Sequence, residues 1–291
     1  MSGPEQCGVY LGDPCSQEPT AVQGGLQFTA IGHGSDHGCG LTPGGKAYCW
    51  GYNFDGRLGT GSAAGPEQCD SYGSPISCST QPVAVTGSLS FTTLVVGLDH
   101  ACGLVAGGAA YCWGANAYGQ LGDSSRTDRM APVPVAGGHS FVALSAGASF
   151  TCGRTSDSIA YCWGDNGLGQ LGFLSTVGAV VTPDSVAGGH RFASISAGEY
   201  HTCGVTGSGA AYCWGQNYFG ELGIGTTSDY SRTPVAVTGG LTFASVMAGG
   251  WHSCGVTVAG VAYCWGNNGR GELGNGSTTS SSVPVKVAGQ P

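Results

Sequence analysis

The sequence predicts an all-β propeller built from five repeats, and three observations carry that prediction. The tripeptide Cys-Trp-Gly begins at Cys49, Cys112, Cys162, Cys213 and Cys264, in steps of 63, 50, 51 and 51 residues. Apolar residues recur at strand spacing, and no segment sustains a helical period of about 3.6 residues. Glycine supplies 56 of the 291 residues, which suits many tight turns between short strands.

The elements of one unit follow in order. "PVAV" at 234–237 is extended, with Pro234 where a missing N–H costs little. In "GGLTFASVMAGG" at 239–250, alternation puts Phe243, Ser245 and Met247 on one face and Ala244, Val246 and Ala248 on the other. "WHSCGV" at 251–256 and "AYCWG" at 262–266 form a hairpin, and "NNGRGELG" at 267–274 closes the unit. Four strands per repeat of this length is the make-up of a propeller blade. A blade cannot bury its faces alone, so neighbours stack, and the Ala-Gly pairs at 146–147, 197–198 and 248–249 let them crowd near an axis. The reading is a single propeller domain over 1–291, with the tryptophans at Trp50, Trp113, Trp163, Trp214 and Trp265.

The long first step contains an insertion, "GPEQCDSYGSPISC" at 65–78, and "GPEQC" also occurs at 3–7. Each copy runs on to a second cysteine and a proline-led strand, "PTAV" at 19–22 or "PVAV" at 82–85, so the two read as copies of one disulfide-closed loop (7–15 and 65–78). The tail "VPVKV" at 283–287 repeats the opening strand once more, giving a partial extra repeat split between the termini. That strand lies along an edge, belongs to a longer propeller, or adds to another copy's sheet. The favoured expectation is a closed or nearly closed ring of five.

Five cysteine pairs stand ten positions apart: Cys39/Cys49, Cys102/Cys112, Cys152/Cys162, Cys203/Cys213 and Cys254/Cys264. In a hairpin centred between them, partners face each other at about 4.5 Å, within disulfide reach. With Cys7/Cys15 and Cys69/Cys78 they account for all 14 cysteines and point to an oxidising compartment. The rival is metal, since His37, His100, His201 and His252 each precede a pair by two residues, but repeat three has Phe150 there and the spacing is long for zinc. No metal or cofactor is expected.

The recurring "WGxNxxGxLG", as in "WGQNYFGELG" at 214–223, together with "AGxxHxCG", as in "AGEYHTCG" at 197–204, resembles the RCC1 repeat. The resemblance covers nearly the whole chain and implies a β-propeller. The best-known members of that family have seven blades, and its bacterial members include the secreted β-lactamase inhibitory protein II, which binds through loops on one face. By resemblance this chain is closest in character to such bacterial secreted propellers.

Several function classes are excluded or disfavoured. A net charge of −8 with 9 Lys and Arg disfavours nucleic acid. No apolar run approaches the roughly 20 residues of a membrane helix, and the N-terminus does not read as a signal peptide. No nucleophile elbow, P-loop, zinc-protease or EF-hand motif occurs, so no catalytic residue is assigned and the chain is read as non-enzymatic. Asn53, Asn116, Asn166, Asn217 and Asn267 read as turn formers. Tyr212 and Trp214, and their repeats, read as packing between blades, with a sugar-stacking platform as the sharper alternative.

Functional surface is expected where the repeats disagree, in the two residues before each histidine position. Leu98, Tyr200 and Trp251 are apolar or aromatic there, and Asp36, Asp99 and Glu199 add negative charge. Aromatic anchors rimmed by acids suit a protein partner. The expectation is a secreted or cell-surface binding module whose partner is another protein. Copies of the chain joined by terminal strand addition, as in an extracellular fibre, and a glycan ligand are the alternatives.

Overall fold

The structure, a computed structural model, describes residues 20–71, 74–175 and 178–290, together with the backbone of two short strands, β1 (Glu5–Gln6) and β2 (Pro14–Cys15). Five antiparallel sheets follow one another along the chain. Blade one has β3 (Ala30–His33), β4 (His37–Leu41), β5 (Ala47–Tyr52), the inserted β6 (Glu67–Ser71) and the long β7 (Ser74–Ala84), in the order β3-β4-β5-β7-β6. Blade two is the meander β8 (Phe91–Val96), β9 (His100–Val105), β10 (Ala110–Gly114) and β11 (Arg129–Pro134). Blade three is β12 (Phe141–Ala146), β13 (Phe150–Thr155), β14 (Ala160–Asp165) and β15 (Ala179–Ser185). Blade four is β16 (Phe192–Ala197), β17 (His201–Thr206), β18 (Ala211–Gln216) and β19 (Tyr230–Ala236), and blade five is β20 (Phe243–Ala248), β21 (His252–Thr257), β22 (Ala262–Gly266) and β23 (Ser281–Lys286). No helix among the described residues is long and apolar enough to cross a membrane.

The proline-led strands are the last of each blade, not the first. Val83 lies opposite Cys49 and Val285 opposite Cys264, so the tail strand, expected to open a sixth repeat, instead completes blade five as β23. The reason is the missing proline N–H, which fits the solvent-side edge of a sheet and not a strand near the axis. All five sheets hold their own outer strand, and this tail is paired with β22 within blade five. The strands β1 and β2 repeat the backbone pairing of the insertion: Glu5 faces Cys15 as Glu67 faces Cys78.

A second difference lies in the inner strands. A bulge falls between Phe243 and Ser245, and equivalent bulges follow Phe91, Phe141 and Phe192. The extra residue switches the alternation, so Phe243 and Val246 are both buried while Met247 is 70% exposed.

The cysteine pairs face each other in register, with Cα atoms 4.1 Å apart in Cys39–Cys49, Cys102–Cys112, Cys152–Cys162 and Cys203–Cys213 and 4.0 Å in Cys254–Cys264. Cys69–Cys78 closes the insertion. The pairing expected for Cys7 and Cys15 lies outside the described residues.

Each blade packs on the next through one repeated interface. Trp113, Trp163, Trp214 and Trp265 are fully buried, each against the preceding blade's Leu58, Leu121, Leu171 or Leu222. Their indole N–H groups donate to the backbone carbonyls of Arg57, Gln120, Gln170 and Glu221, at 3.2, 2.9, 3.0 and 2.8 Å. Glycine follows each leucine because the indole lies against it: a Cβ on Gly172, at φ +80°, would stand 2.6 Å from the Trp214 Nε1. The burial removes the basis for a sugar platform on these four tryptophans. Tyr161 and Tyr212 stand edge-on to Phe141 and Phe192 of their own blades and pack, as expected, against the core shared with the preceding blade.

The arc does not close. Consecutive blades pack together, and among the described residues no strand of blade five is a principal packing partner of blade one. Trp50 is half-buried where its four counterparts are inaccessible, and Val256 is 41% exposed where Leu104 is 3%. In place of the expected ring of five, the described blades form an open arc whose four internal interfaces repeat the Trp–Leu–Gly contact.

Candidate functional site

One end of the arc gathers two loops from each blade. The first joins the inner strand to its neighbour and holds the residues before each histidine position. The second is the Asn-x-x-Gly loop after each tryptophan strand. Backbone bonds tie them together: Tyr52, Ala115, Asp165, Gln216 and Asn267 donate their N–H groups to the carbonyls of Asp36, Asp99, Ser149, Tyr200 and Trp251.

The second loop is built by two side chains that recur. Asn53, Asn116, Asn166, Asn217 and Asn268 are fully buried, and each Oδ1 accepts from the leucine N–H five residues on, at 2.9–3.2 Å. The Nδ2 of Asn217 donates to the Thr226 carbonyl and that of Asn268 to the Ser277 and Thr279 carbonyls. The repeating residue in blade five is thus Asn268, one place after the expected Asn267, which lies before the turn. A buried amide that satisfies several backbone groups does more than shape a turn. Gln120, Gln170, Glu221 and Glu272 then accept from the N–H of Tyr118, Leu168, Phe219 and Arg270, fixing the loop tip. Burial raises the Glu221 carboxyl pKa, while its bonds from Phe219 and Gln216 oppose that shift.

Blade one carries Arg57 at this position, and a guanidinium cannot accept. It is buried and pairs instead with Asp55 at 2.8 Å and Asp99 at 2.7 Å, its plane over Tyr52 at 5.0 Å. One cation is therefore neutralised by two carboxylates, and it ties blade one to blade two.

The loop tips present aromatic side chains. Phe54 is 66% exposed and stacks on Tyr52 at 6.1 Å. Tyr118 and Tyr218 are exposed, and Phe219 meets Trp251 across the blade four–five boundary at 6.0 Å. Of the residues expected from sequence, Asp36 and Trp251 are exposed on this face, while Leu98, Asp99, Glu199 and Tyr200 are half-buried. Asp99 is committed to Arg57 and accepts from Ser35 Oγ at 3.1 Å. Glu199 accepts from the Tyr200 hydroxyl, which raises that phenol's pKa. Phe54, Tyr118, Tyr218 and Phe219 were not among the expected residues; the signal was an aromatic in a turn where Gly167 and Gly269 show that glycine suffices.

At the centre, the inner loops enclose a funnel of about 450 Å³ lined by His33, Leu98, Ala148, Gly198, Glu199 and Gly249 among others. The five hairpin pairs that follow the histidine positions are all disulfide-bonded, so the His-Cys-Cys alternative has no thiolate there to offer a metal. The one tight metal-type grouping among the described residues, Glu67 with Cys69 and Cys78, includes a disulfide.

Sheets stacked about an axis, with variable loops gathered at one end, define a β-propeller that presents a loop surface. The chain belongs to the RCC1 repeat family: the Regulator of chromosome condensation (RCC1) repeat matches at residues 28–57, 91–120, 141–170, 192–221 and 243–272. It is 29% identical over 272 residues to the ultraviolet-B receptor UVR8 of Arabidopsis thaliana, covering 92% of this chain and 48% of that protein. It is 30% identical to the human E3 ubiquitin-protein ligase HERC2, covering 91% of this chain but 5% of the ligase. Among solved structures, human WBSCR16 superposes with a TM-score of 0.76 at 20% identity, covering 89% of this chain and 66% of that one. Prp20p from Saccharomyces cerevisiae does so at 0.75 and 22%, covering 90% and 63%, and its structure was solved with its binding properties to Gsp1p and histones. The chain thus spans about half of UVR8 and under two thirds of Prp20p.

Proposed function

We propose that this chain is a non-enzymatic, disulfide-stabilised protein-binding module that works through its loop face. The observation that carries the reading is the exposed Phe219–Trp251 pair, held across two blades by the Glu221 cap. Large aromatics on rigid loops supply contact area at low entropic cost, and such anchors dominate binding energy. Protein binding by a related propeller, Prp20p with Gsp1p and histones, supports the class of partner. The acids Asp36, Asp165 and Glu199 on the same loops, none of them paired with Arg57, favour a partner face with lysine or arginine.

Six disulfides in the described chain support function in an oxidising compartment, at the cell exterior. The test is affinity capture from native extracellular fluid with the oxidised protein, run beside a Phe219→Ala/Trp251→Ala variant. A partner should be retained by the parent and lost, by tenfold or more in affinity, by the variant. Equal capture by both proteins would remove the assignment to this face.

A further inference from the structure

The connection from β22 to β23 holds an amide that nothing in the fold uses. Of the chain's seven asparagines, Asn275 alone opens an Asn-x-Ser/Thr tripeptide, Asn275-Gly276-Ser277. That tripeptide is the acceptor sequence for N-linked sugar. It also recurs by chance, so the geometry around it has to decide.

Asn275 and Ser277 form a closed turn. The Asn275 Oδ1 accepts from the Ser277 N–H at 3.1 Å, the Ser277 hydroxyl at 3.0 Å and Asn268 Nδ2 at 3.3 Å. The Ser277 Oγ accepts in turn from the Thr279 N–H and from Asn268 Nδ2, each at 3.3 Å. Its own hydrogen is therefore committed to Asn275. The carboxamide oxygen is fully engaged, while the Nδ2 has no acceptor among the described residues and is open to solvent.

Blade two shows why that amide is unoccupied. It has the same turn built on an acid: Asp123 Oδ1 accepts from the Ser125 N–H, the Ser125 hydroxyl and Asn116 Nδ2. The outer atom, Asp123 Oδ2, is held by Arg129 Nε at 2.7 Å. In blade five Ser281 stands at the register of Arg129, since Ser281 faces Gly266 as Arg129 faces Gly114. Its hydroxyl donates to the Val283 carbonyl at 2.8 Å instead. The ion pair that occupies Asp123 thus has no counterpart at Asn275.

Residues 276–280 are exposed, and a Cβ on Gly276 would meet open space. Ser124, Arg126 and Thr127 of blade two are exposed as well, with blade three packed beside them, so the openness belongs to the connection itself.

We infer that Asn275 is an N-glycan acceptor, taking an oligosaccharide from a polyprenyl-pyrophosphate donor through a transferase. The Nδ2 bonds to the anomeric carbon of the sugar. The bond from that carbon to the pyrophosphate oxygen breaks, and its electron pair leaves on the pyrophosphate. One Nδ2 proton passes to a base of the transferase. The three donors on Oδ1 ease that loss, because they stabilise negative charge on the oxygen. The inference shares with the proposed function only the oxidising compartment that the disulfides support.

The test sends the full chain through a eukaryotic secretory pathway behind a cleaved leader. Lumenal and secreted protein are both mapped by mass spectrometry, before and after glycosidase release of N-glycans in heavy-oxygen water. Asn275 should carry sugar and should become heavy aspartate on release. Asn275→Gln and Ser277→Ala should each lose the sugar, and Ser277→Thr should keep it. Disulfide-bonded parent protein with a bare Asn275 overturns the inference. So does sugar that persists in Asn275→Gln. Partner capture by the Phe219→Ala/Trp251→Ala variant is read separately and does not alter either result.

Discussion

The Nε2–H of His100 donates to Thr151 Oγ1 at 2.9 Å, and the Thr151 hydroxyl passes its own proton to the Gln120 carbonyl at 2.9 Å. Two blades are joined by a relay whose direction is fixed. Thr151 has spent its hydrogen on the carbonyl, so the imidazole must be the donor and carries its proton on Nε2. Thr151→Val leaves a buried N–H without an acceptor, at a cost of about 1–3 kcal/mol. Thr202→Val should cost less, because Phe150 stands where the histidine would be and Trp214 still serves the Gln170 carbonyl. Denaturant midpoints of the two variants check the order.

Stability should fall with acid in a defined window. Burial lowers the pKa of His100 and His201 to about 3, and burial with the charge of Arg57 lowers that of His37 to about 4. Their Nδ1 atoms are buried without a partner in the protein. The unfolded chain takes up protons below its ordinary histidine pKa of 6.5 while the folded chain does not. Stability is therefore fully present above that value and declines towards pH 3 to 4, each histidine contributing up to about 1.4 kcal/mol per pH unit. His100→Phe, which copies repeat three, should flatten the profile of denaturant midpoint against pH.

Asn268→Ala and Asn267→Ala should separate sharply. The first removes an acceptor for Leu273 and donors to two carbonyls in a buried loop, an expected loss of about 2–3 kcal/mol. The second removes one exposed bond to Gly269 and should cost under about 1 kcal/mol. Thermal melts of the pair decide which asparagine is the repeating one.

The disulfides should yield in order of access. Cys254 is partly exposed, whereas the Cys102, Cys152 and Cys203 sulfurs are sealed by the next blade. Graded reduction followed by alkylation and mass mapping should open Cys254–Cys264 before the other hairpin staples. Removing the sealed Cys203–Cys213 pair by double alanine substitution should cost about 3 kcal/mol.

Much of this was legible in the sequence because repetition averages out local ambiguity. The ten-residue cysteine spacing and the Trp-Gly marker placed the central hairpin of every blade, and the register confirmed each pair. The phase of the repeat was not legible: "PVAV" is equally extended whether it opens a unit or ends one, and only pairing with the tryptophan strand shows which. The bulge after Phe243 was hidden for a similar reason, since one extra residue leaves composition unchanged while reversing the faces. The expected loop residues did fall on one surface, but Asp99 was already spoken for by Arg57. The turn aromatics Phe54, Tyr118, Tyr218 and Phe219 were overlooked because a turn reading asks about backbone and not about what the tips display.

The blade-to-blade contact has an evolutionary side. Each unit of about fifty residues carries both halves of the joint, a plug on one side and a seat on the other. A tandem duplication therefore arrives already compatible with its neighbours, and no new complementarity has to be invented. Lapses such as Ala101 opposite His37, which leaves that imidazole unpaired, are borne locally and do not spread. Such a chain can change its blade count by copying, while the loops at one end diverge under separate selection.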